Sequence, residues 1–86
     1  MMSYHLSFEP ESINDLDNLT QTVRVRILKK INWLKTNFEQ VSHIPLTANW
    51  SGFYKLRVGD YRVIYEFDLE LKEIIIVRIG HRREIY

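Results

Sequence analysis

The chain has 86 residues, 45% of them hydrophobic and 27% charged, which is the size of one domain, 1–86, with an ordinary globular composition. A formal net charge of +1 gives no bulk signal for a polyanionic partner, and the absence of cysteine excludes disulfides, thiolate zinc sites and thiol nucleophiles. A domain this small buries only roughly 60–65% of its unfolded surface, so it depends on good packing or on a partner that covers what stays exposed.

Met1-Met2-Ser3-Tyr4-His5 shows no basic stretch leading into an apolar run, so no signal peptide is expected. No apolar stretch approaches the roughly 20 residues of a membrane span, so no membrane partner is expected and the cytoplasm is the expected location. Residues 4–8 alternate, with Tyr4, Leu6 and Phe8 on one face, and predict a short half-buried strand. Pro10 suits the first turn of a helix, with Glu9 and Glu11 near its positive end. Ile13, Leu16 and Leu19 follow at intervals of three and predict a short amphipathic helix. Thr20 is placed to cap a second helix, in which Val23, Ile27, Ile31, Leu34 and Phe38 form an apolar stripe. Arg24, Arg26, Lys29, Lys30 and Lys35 take its solvated side. Residues 43–50 read as a loop around Pro45. The period then switches to two, giving a strand at 53–58, a two-residue turn at Gly59-Asp60 and a return strand at 61–67. A connection at 68–72 leads to a β-branched run at 73–79, predicted as a central strand. Gly80 to Tyr86 is too short for another element.

The order β-α-α-β-β-β, with strands and helices segregated, predicts an α+β fold: a mainly antiparallel sheet with both N-terminal helices on one face. Alternation sends Tyr54, Leu56, Val58, Val63, Tyr65, Phe67, Ile75, Val77 and Ile79 toward the helices. Phe53, Lys55, Arg57, Arg62, Ile64, Glu66, Ile74, Ile76 and Arg78 are predicted on the helix-free face. Lys55, Arg57, Arg62 and Arg78 then share that face, and Arg82 and Arg83 leave at its edge. Antiparallel sheets commonly show water one polar face. Clustered cations repel one another, however, and a polyanion gives such a cluster a purpose. His5, His43 and His81 are too scattered to suggest a metal site, and no metal or cofactor is expected. Trp33 and Trp50 are read as core or loop packing, Tyr61 and Tyr65 as core or rim.

The stretch Tyr54-Lys55-Leu56-Arg57-Val58-Gly59-Asp60-Tyr61-Arg62-Val63-Ile64-Tyr65-Glu66 and the ending Ile79-Gly80-His81-Arg82-Arg83-Glu84-Ile85-Tyr86 resemble the RelE/ParE toxin superfamily, and the RelE branch in particular. Pro45-Leu46, Trp50-Ser51-Gly52 and the preceding β-α-α order fit as well. Some relatives carry a further helix beyond this ending, whereas the sequence stops at Tyr86. The resemblance implies a RelE-like fold and a type II toxin that cleaves mRNA in the A site of the small ribosomal subunit. It also implies a cognate antitoxin protein that silences the toxin, and a toxin–antitoxin hetero-oligomer that reaches operator DNA through the antitoxin. Lys55 and Arg57 match the two basic residues of the first hairpin strand, Arg62 the arginine after the turn, Arg82 the basic residue after the last strand, and Tyr86 the final tyrosine. These five are the expected catalytic set. His81 stands where relatives often have another basic residue.

Metal-free RNA cleavage uses the 2′-OH as an internal nucleophile. It requires a base for that hydroxyl, charge stabilisation of the phosphorane and a proton for the 5′-oxygen. Arginine stays protonated, so Arg57, Arg62 and Arg82 suit phosphate clamping and charge stabilisation. Lys55, Tyr86 and His81 are the alternatives for acid–base work, and Tyr86 is also able to stack on a base. Arg78 and Arg83 are read as RNA-contacting or salt-bridged. Two other functions fit the same resemblance: a ParE-like inhibitor of DNA gyrase, and a non-enzymatic RNA-binding or corepressor module.

Overall fold

The structure is a computed structural model that describes residues 3–85. It contains strand β1 (His5–Phe8), helices α1 (Pro10–Asp17) and α2 (Gln21–Thr36), and strands β2 (Ile44–Pro45), β3 (Tyr54–Val58), β4 (Tyr61–Asp68) and β5 (Glu73–His81). The five strands form one sheet in the order β1-β5-β4-β3-β2. Its pairings are antiparallel except that of β1 with β5, which is parallel. The expected α+β architecture is found, with two additions in the predicted loop: the short β2 and a 3-10 turn at Ala48–Trp50.

Local signals explain the helices. Pro10 opens α1 without wasting a backbone donor, and the Thr20 side chain accepts the Val23 N–H to cap α2. Ile27, Ile31 and Leu34 of α2 are fully buried against the sheet, and Phe38 follows them just past the helix end. In α1 the inward residues are Ser12 and Leu16, Leu19 packs against the core just past the helix end, and Ile13 is 49% exposed, contrary to expectation. A spacing of three slips about 60° per step around a helix of 3.6 residues per turn, whereas 12 and 16, four apart, stay on one face. Ser12 tolerates burial because its hydroxyl donates to Glu9 O at 2.8 Å. Trp33, expected in packing, is 42% exposed, with the Lys30 ammonium 3.8 Å from its ring centre.

The sheet face follows alternation in β3 and β4, where Leu56, Val58, Val63, Tyr65 and Phe67 join the helix-side core. In β5 the expected facing is reversed for four residues. Ile74 and Ile76 are in the core, and Ile75 and Val77 are not. The register shows the cause: Ile64 pairs with Arg78 but Tyr65 pairs with Ile76, so Val77 is an extra residue, a β-bulge. One inserted residue switches the phase of a period-two pattern. Beyond the bulge, Arg78 and Gly80 fall on the helix-free face and Ile79 returns to the core. Ile64, expected to face away, does so and is nonetheless fully buried. In the register it lies between Lys55 and Arg78.

β1 pairs with β5 only as far as Ile76, so the rest of that edge needs another cover. Asp15 of α1 provides it. Its carboxylate accepts the Ile79 N–H at 2.8 Å and the Arg78 Nε at 2.9 Å, with Arg78 Nη2 at 3.4 Å. The hydrogen bond and charge of Asp15 push the Arg78 guanidinium above its already high ordinary range. The Arg78 side chain is 41% exposed, so its ion pair is weak, and the strand-edge bond matters more.

A second polar lock joins the loop after α2 to the core. His43 Nδ1 lies 2.6 Å from the Tyr65 hydroxyl and Nε2 lies 3.0 Å from Phe38 O, within a group of rings that includes Phe38, Tyr54 and Phe67. With Nε2 donating to the carbonyl, His43 Nδ1 accepts a hydrogen bond from the Tyr65 hydroxyl. Burial, and then the neighbouring Tyr54, push the Tyr65 phenol well above the usual range for tyrosine.

Two outcomes follow. Asp15→Ala strands the Ile79 N–H and is expected to lower unfolding free energy by about 1–3 kcal/mol in urea titration. For Tyr65, the unfolded phenol ionises near pH 10 while the buried one keeps its proton. Its contribution to stability is therefore intact below about pH 10 and declines above it. Part of the alkaline loss of stability should be missing in Tyr65→Phe when the two are compared by urea titration between pH 8 and 11, on the order of the shift expected for one phenol.

Candidate functional site

The β3–β4 hairpin creates the first part of the site. Gly59 has φ 58°, and Asp60 stays on the negative side, which fits a type II′ turn with glycine at its first central position. A Cβ on Gly59 would stand 2.8 Å from Arg26 Nη2 of α2, the end of a flexible side chain that can move aside, so it is the positive φ that calls for glycine there. The tight turn fixes the register, which sets Arg57 directly opposite Arg62 and Lys55 opposite Ile64. Like charges directly opposite on one face destabilise a sheet.

The turn then gathers a third cation. Arg62 Nη1 donates to Gly59 O and Tyr61 O, both at 2.9 Å. The Arg82 N–H donates to Asp60 O at 2.8 Å, and its Nε lies 3.8 Å from Asp60 Oδ1. Arg62 and Arg82 therefore meet on the same two-residue turn, from opposite ends of the sequence motif. Asp60, which no sequence signal marked beyond its place in a turn, holds that junction. The chain after β5 is kept in place by a tight turn in which Glu84 N–H and Ile85 N–H both donate to His81 O. Ile85 folds back over Gly80 and is only 8% exposed.

The other expected residues are distributed less tightly. Lys55 lies on the same face, two residues along β3 from Arg57, and is half-buried. It borders a cleft of about 420 Å³ formed with Leu46 and Trp50, whose indole meets Phe53 edge-on at 5.5 Å. Ala48 in this loop has φ 55°, an uncommon conformation for a residue with a side chain. Trp50 was legible only as a loop residue, because the folding of this cleft around Lys55 has no periodic signature. Arg78 shares the row of Lys55 and Ile64 but turns to Asp15. His81 pairs with Tyr61, which puts it on the helix side of the sheet, in a cleft with Asp15, Leu19 and Glu84. Its Nδ1 accepts the Arg83 N–H at 3.2 Å, so the neutral ring carries its proton on Nε2. Arg83 is exposed at the turn. Tyr86 lies outside the described residues. Among the described residues, no three His, Asp or Glu side chains converge as a metal site requires.

Comparison with known proteins gives this arrangement a family. The family model described as ParE toxin of type II toxin–antitoxin system, parDE, matches residues 6–86. The chain therefore belongs to the RelE/ParE superfamily and is a toxin of the type II toxin–antitoxin class. Toxin RelG of Mycobacterium tuberculosis is 38% identical over 42 residues, which are 49% of this chain and 48% of that toxin, so the match spans about half of its length. A chain of the RelBE2 toxin–antitoxin complex of M. tuberculosis superposes with a TM-score of 0.82 at 26% identity, covering 94% of this chain and 100% of its own. A chain of the RelE–RelB complex of Pyrococcus horikoshii gives 0.71 at 25% identity, covering 96% and 99%. No helix among the described residues is long and apolar enough to cross a membrane.

Truncating Ile85 should free the turn without unfolding the sheet. Ile85→Ala is expected to cost about 2 kcal/mol, the low end for an aliphatic truncation, since Ile85 packs at the sheet's rim. Amide hydrogen exchange at Glu84 and Ile85 should rise, while exchange in β4 stays slow.

Proposed function

We propose that the chain is an endoribonuclease that cleaves ribosome-bound mRNA in the A site without a metal, and that a cognate antitoxin silences it. The observation that carries this reading is that Arg62 and Arg82 both bond to the Gly59–Asp60 turn while Arg57 stands opposite Arg62 in the hairpin. Three guanidiniums on one rim form a clamp for a phosphate that gains charge in the transition state. In this reading the 2′-oxygen attacks the adjacent phosphorus, and the bond from phosphorus to the 5′-oxygen breaks. The 2′-proton goes to a base, and the 5′-oxygen receives a proton. The products are a 2′,3′-cyclic phosphate and a 5′-hydroxyl.

Arg62 and Arg82 stabilise the phosphorane, and Arg57 positions the phosphate. Arg78, engaged with Asp15, and the exposed Arg83 are proposed to contact flanking RNA. Lys55 and Tyr86 are the candidates for the base. With Nδ1 taken by the Arg83 N–H, the neutral His81 ring has no free lone pair for proton abstraction, and proton donation would require the imidazolium, which has to give up that bond. The position of His81 on the helix side means that the substrate must reach round the sheet's end to use it. The antitoxin is supported by the relatives solved with one, and an operator-binding hetero-oligomer through the antitoxin belongs to the same reading. Cytoplasmic action follows from a ribosomal substrate.

A gyrase-directed toxin is the second reading, favoured by the description of the matching family model. Expression of wild type and of an Arg62→Ala/Arg82→Ala double variant, with mRNA ends mapped in cells, separates the two. Codon-phased cuts should appear with wild type and fall by at least about a hundredfold with the variant, the usual loss when a charge-stabilising donor is removed. Intact mRNA with broken DNA supports gyrase instead.

A further inference from the structure

The loop between β2 and β3 holds a cleft that the proposed chemistry does not use beyond Lys55. It measures about 420 Å³ and is lined by Leu46, Thr47, Ala48, Asn49, Trp50 and Lys55. That size lies in the range of sites that enclose a small molecule, roughly 300–1,000 Å³. The loop is pinned at both ends. Leu46 N–H donates to Phe53 O at 2.9 Å, and Phe53 N–H donates to Trp50 O at 3.0 Å. Between them, Trp50 N–H and Ser51 N–H donate to Thr47 O and Ala48 O, which closes the 3-10 turn. Ala48 at φ 55° and Gly52 at φ 94° take left-handed conformations on either side of Trp50. Such a backbone at alanine persists only where the surroundings fix it, and positions of this kind gather at ligand sites.

The walls of the cleft suit a nucleobase. Trp50 is half-buried, and its edge-on contact with Phe53 engages at most one face of the indole. An indole lining a cleft in this way is a platform on which a base stacks. Asn49 is exposed, and its amide offers both donors and an acceptor, which is what reading a base edge requires. No Asp or Glu lines the cleft, and its charged wall is Lys55. The cleft also continues the proposed cleavage cluster. Phe53, Lys55 and Arg57 are alternate residues on the helix-free face, and Arg57 stands opposite Arg62. Two residues of strand span about 6.6 Å, comparable to one nucleotide step of an extended single strand. A phosphate held by Arg57 and Arg62 therefore puts the neighbouring nucleotide beside Lys55, at the mouth of the cleft.

We infer that this cleft is a nucleobase pocket. It takes the base of the nucleotide next to the cleaved phosphate, stacks it on Trp50, reads its edge with Asn49, and so sets the sequence preference of cutting. The inference rests on the ribonuclease reading above and deepens it: the message is read at one place and cut at the next. Stacking on Trp50 supplies affinity with little choice, because every base has a π-face. Asn49 supplies the choice, because its amide pairs with some base edges and leaves others with an unmet group. Lys55 joins the two parts, since it walls the pocket and stands two residues from Arg57 on the same face.

The test uses the full chain and 2′-deoxy trinucleotides, which 2′-OH chemistry cannot cut, carrying each of the four bases or no base at the middle position. The side-chain resonances of Trp50 and Asn49, and the amides of Arg57, Arg62 and Arg82, report where each binds. The expected result is that the middle base shifts Trp50 and Asn49, whereas the abasic trinucleotide shifts the arginines alone. Trp50→Ala should weaken binding by about tenfold, which is about 1.4 kcal/mol, and Trp50→Phe should recover most of the loss. Asn49→Ala should level the affinities for the four bases. On ribosomes programmed with a mixed message, the same variant should still cut but distribute its cuts differently among codons. Trp50 shifts that are the same with and without the base, a base preference untouched by Asn49→Ala, or cutting that falls equally at all codons would each overturn the inference. So would Trp50 shifts produced by a short glutamate–valine peptide and not by the trinucleotides, which would assign the cleft to a protein partner. Failure of the ribonuclease reading shows elsewhere, as uncut message with the wild-type chain, and leaves the trinucleotide result standing.

Discussion

The Asp15 carboxylate works at the place where the sheet would otherwise come apart. β1 supports β5 only up to Ile76, and immediately beyond lies the Val77 bulge. Asp15 accepts the Ile79 N–H and holds Arg78 at that point. The two features divide β5 into two pieces with different tasks. The first puts Ile74 and Ile76 into the core under α2. The second carries Gly80 and His81 out to the end of the sheet, so that the Arg82 N–H can reach Asp60 O. Without that division Arg82 would leave the sheet in another direction, and the turn would gather one fewer cation.

Cationic clustering is costly here, and its placement says how the fold tolerates it. Arg62 spends one terminal nitrogen on two carbonyls of its own turn, and Arg78 is matched by Asp15. The Arg82–Asp60 contact at 3.8 Å is half exposed and contributes little energy. It positions the side chain more than it neutralises it. Across the hairpin, Arg57 stands opposite Arg62, on the same face of the sheet.

Most of the framework was legible in the sequence. Pro10, Thr20 and the stripe Ile27-Ile31-Leu34 speak through local rules that tertiary structure did not override. Gly59-Asp60 set the hairpin register, and with it the Arg57–Arg62 pair. The misreadings have one kind of cause, a phase that cannot be counted from residues alone. The run Ile74-Ile75-Ile76-Val77 is apolar throughout, so either alternation fits it, and only the bulge decides. Ile13 fits a three-residue spacing that a real helix does not keep. Trp33 looks like core by composition, but its α2 position falls outside the stripe. In the site, Asp15 and Asp60 were invisible as partners because both act across long sequence separations. The cleft of Trp50 and the position of His81 on the helix side are likewise products of folding and not of pattern.

The central claim is that the clustered arginines run 2′-OH chemistry on RNA, and the product ends test it most directly. Purified chain would be added to ribosomes programmed with a defined message in the presence of a chelator, and the new termini analysed chemically. The account predicts a 2′,3′-cyclic phosphate or its opened 3′-phosphate upstream and a 5′-hydroxyl downstream, with cutting blocked by a single 2′-deoxy substitution at the cleaved position. A 5′-phosphate product, or cutting that survives the 2′-deoxy substitution, would contradict it.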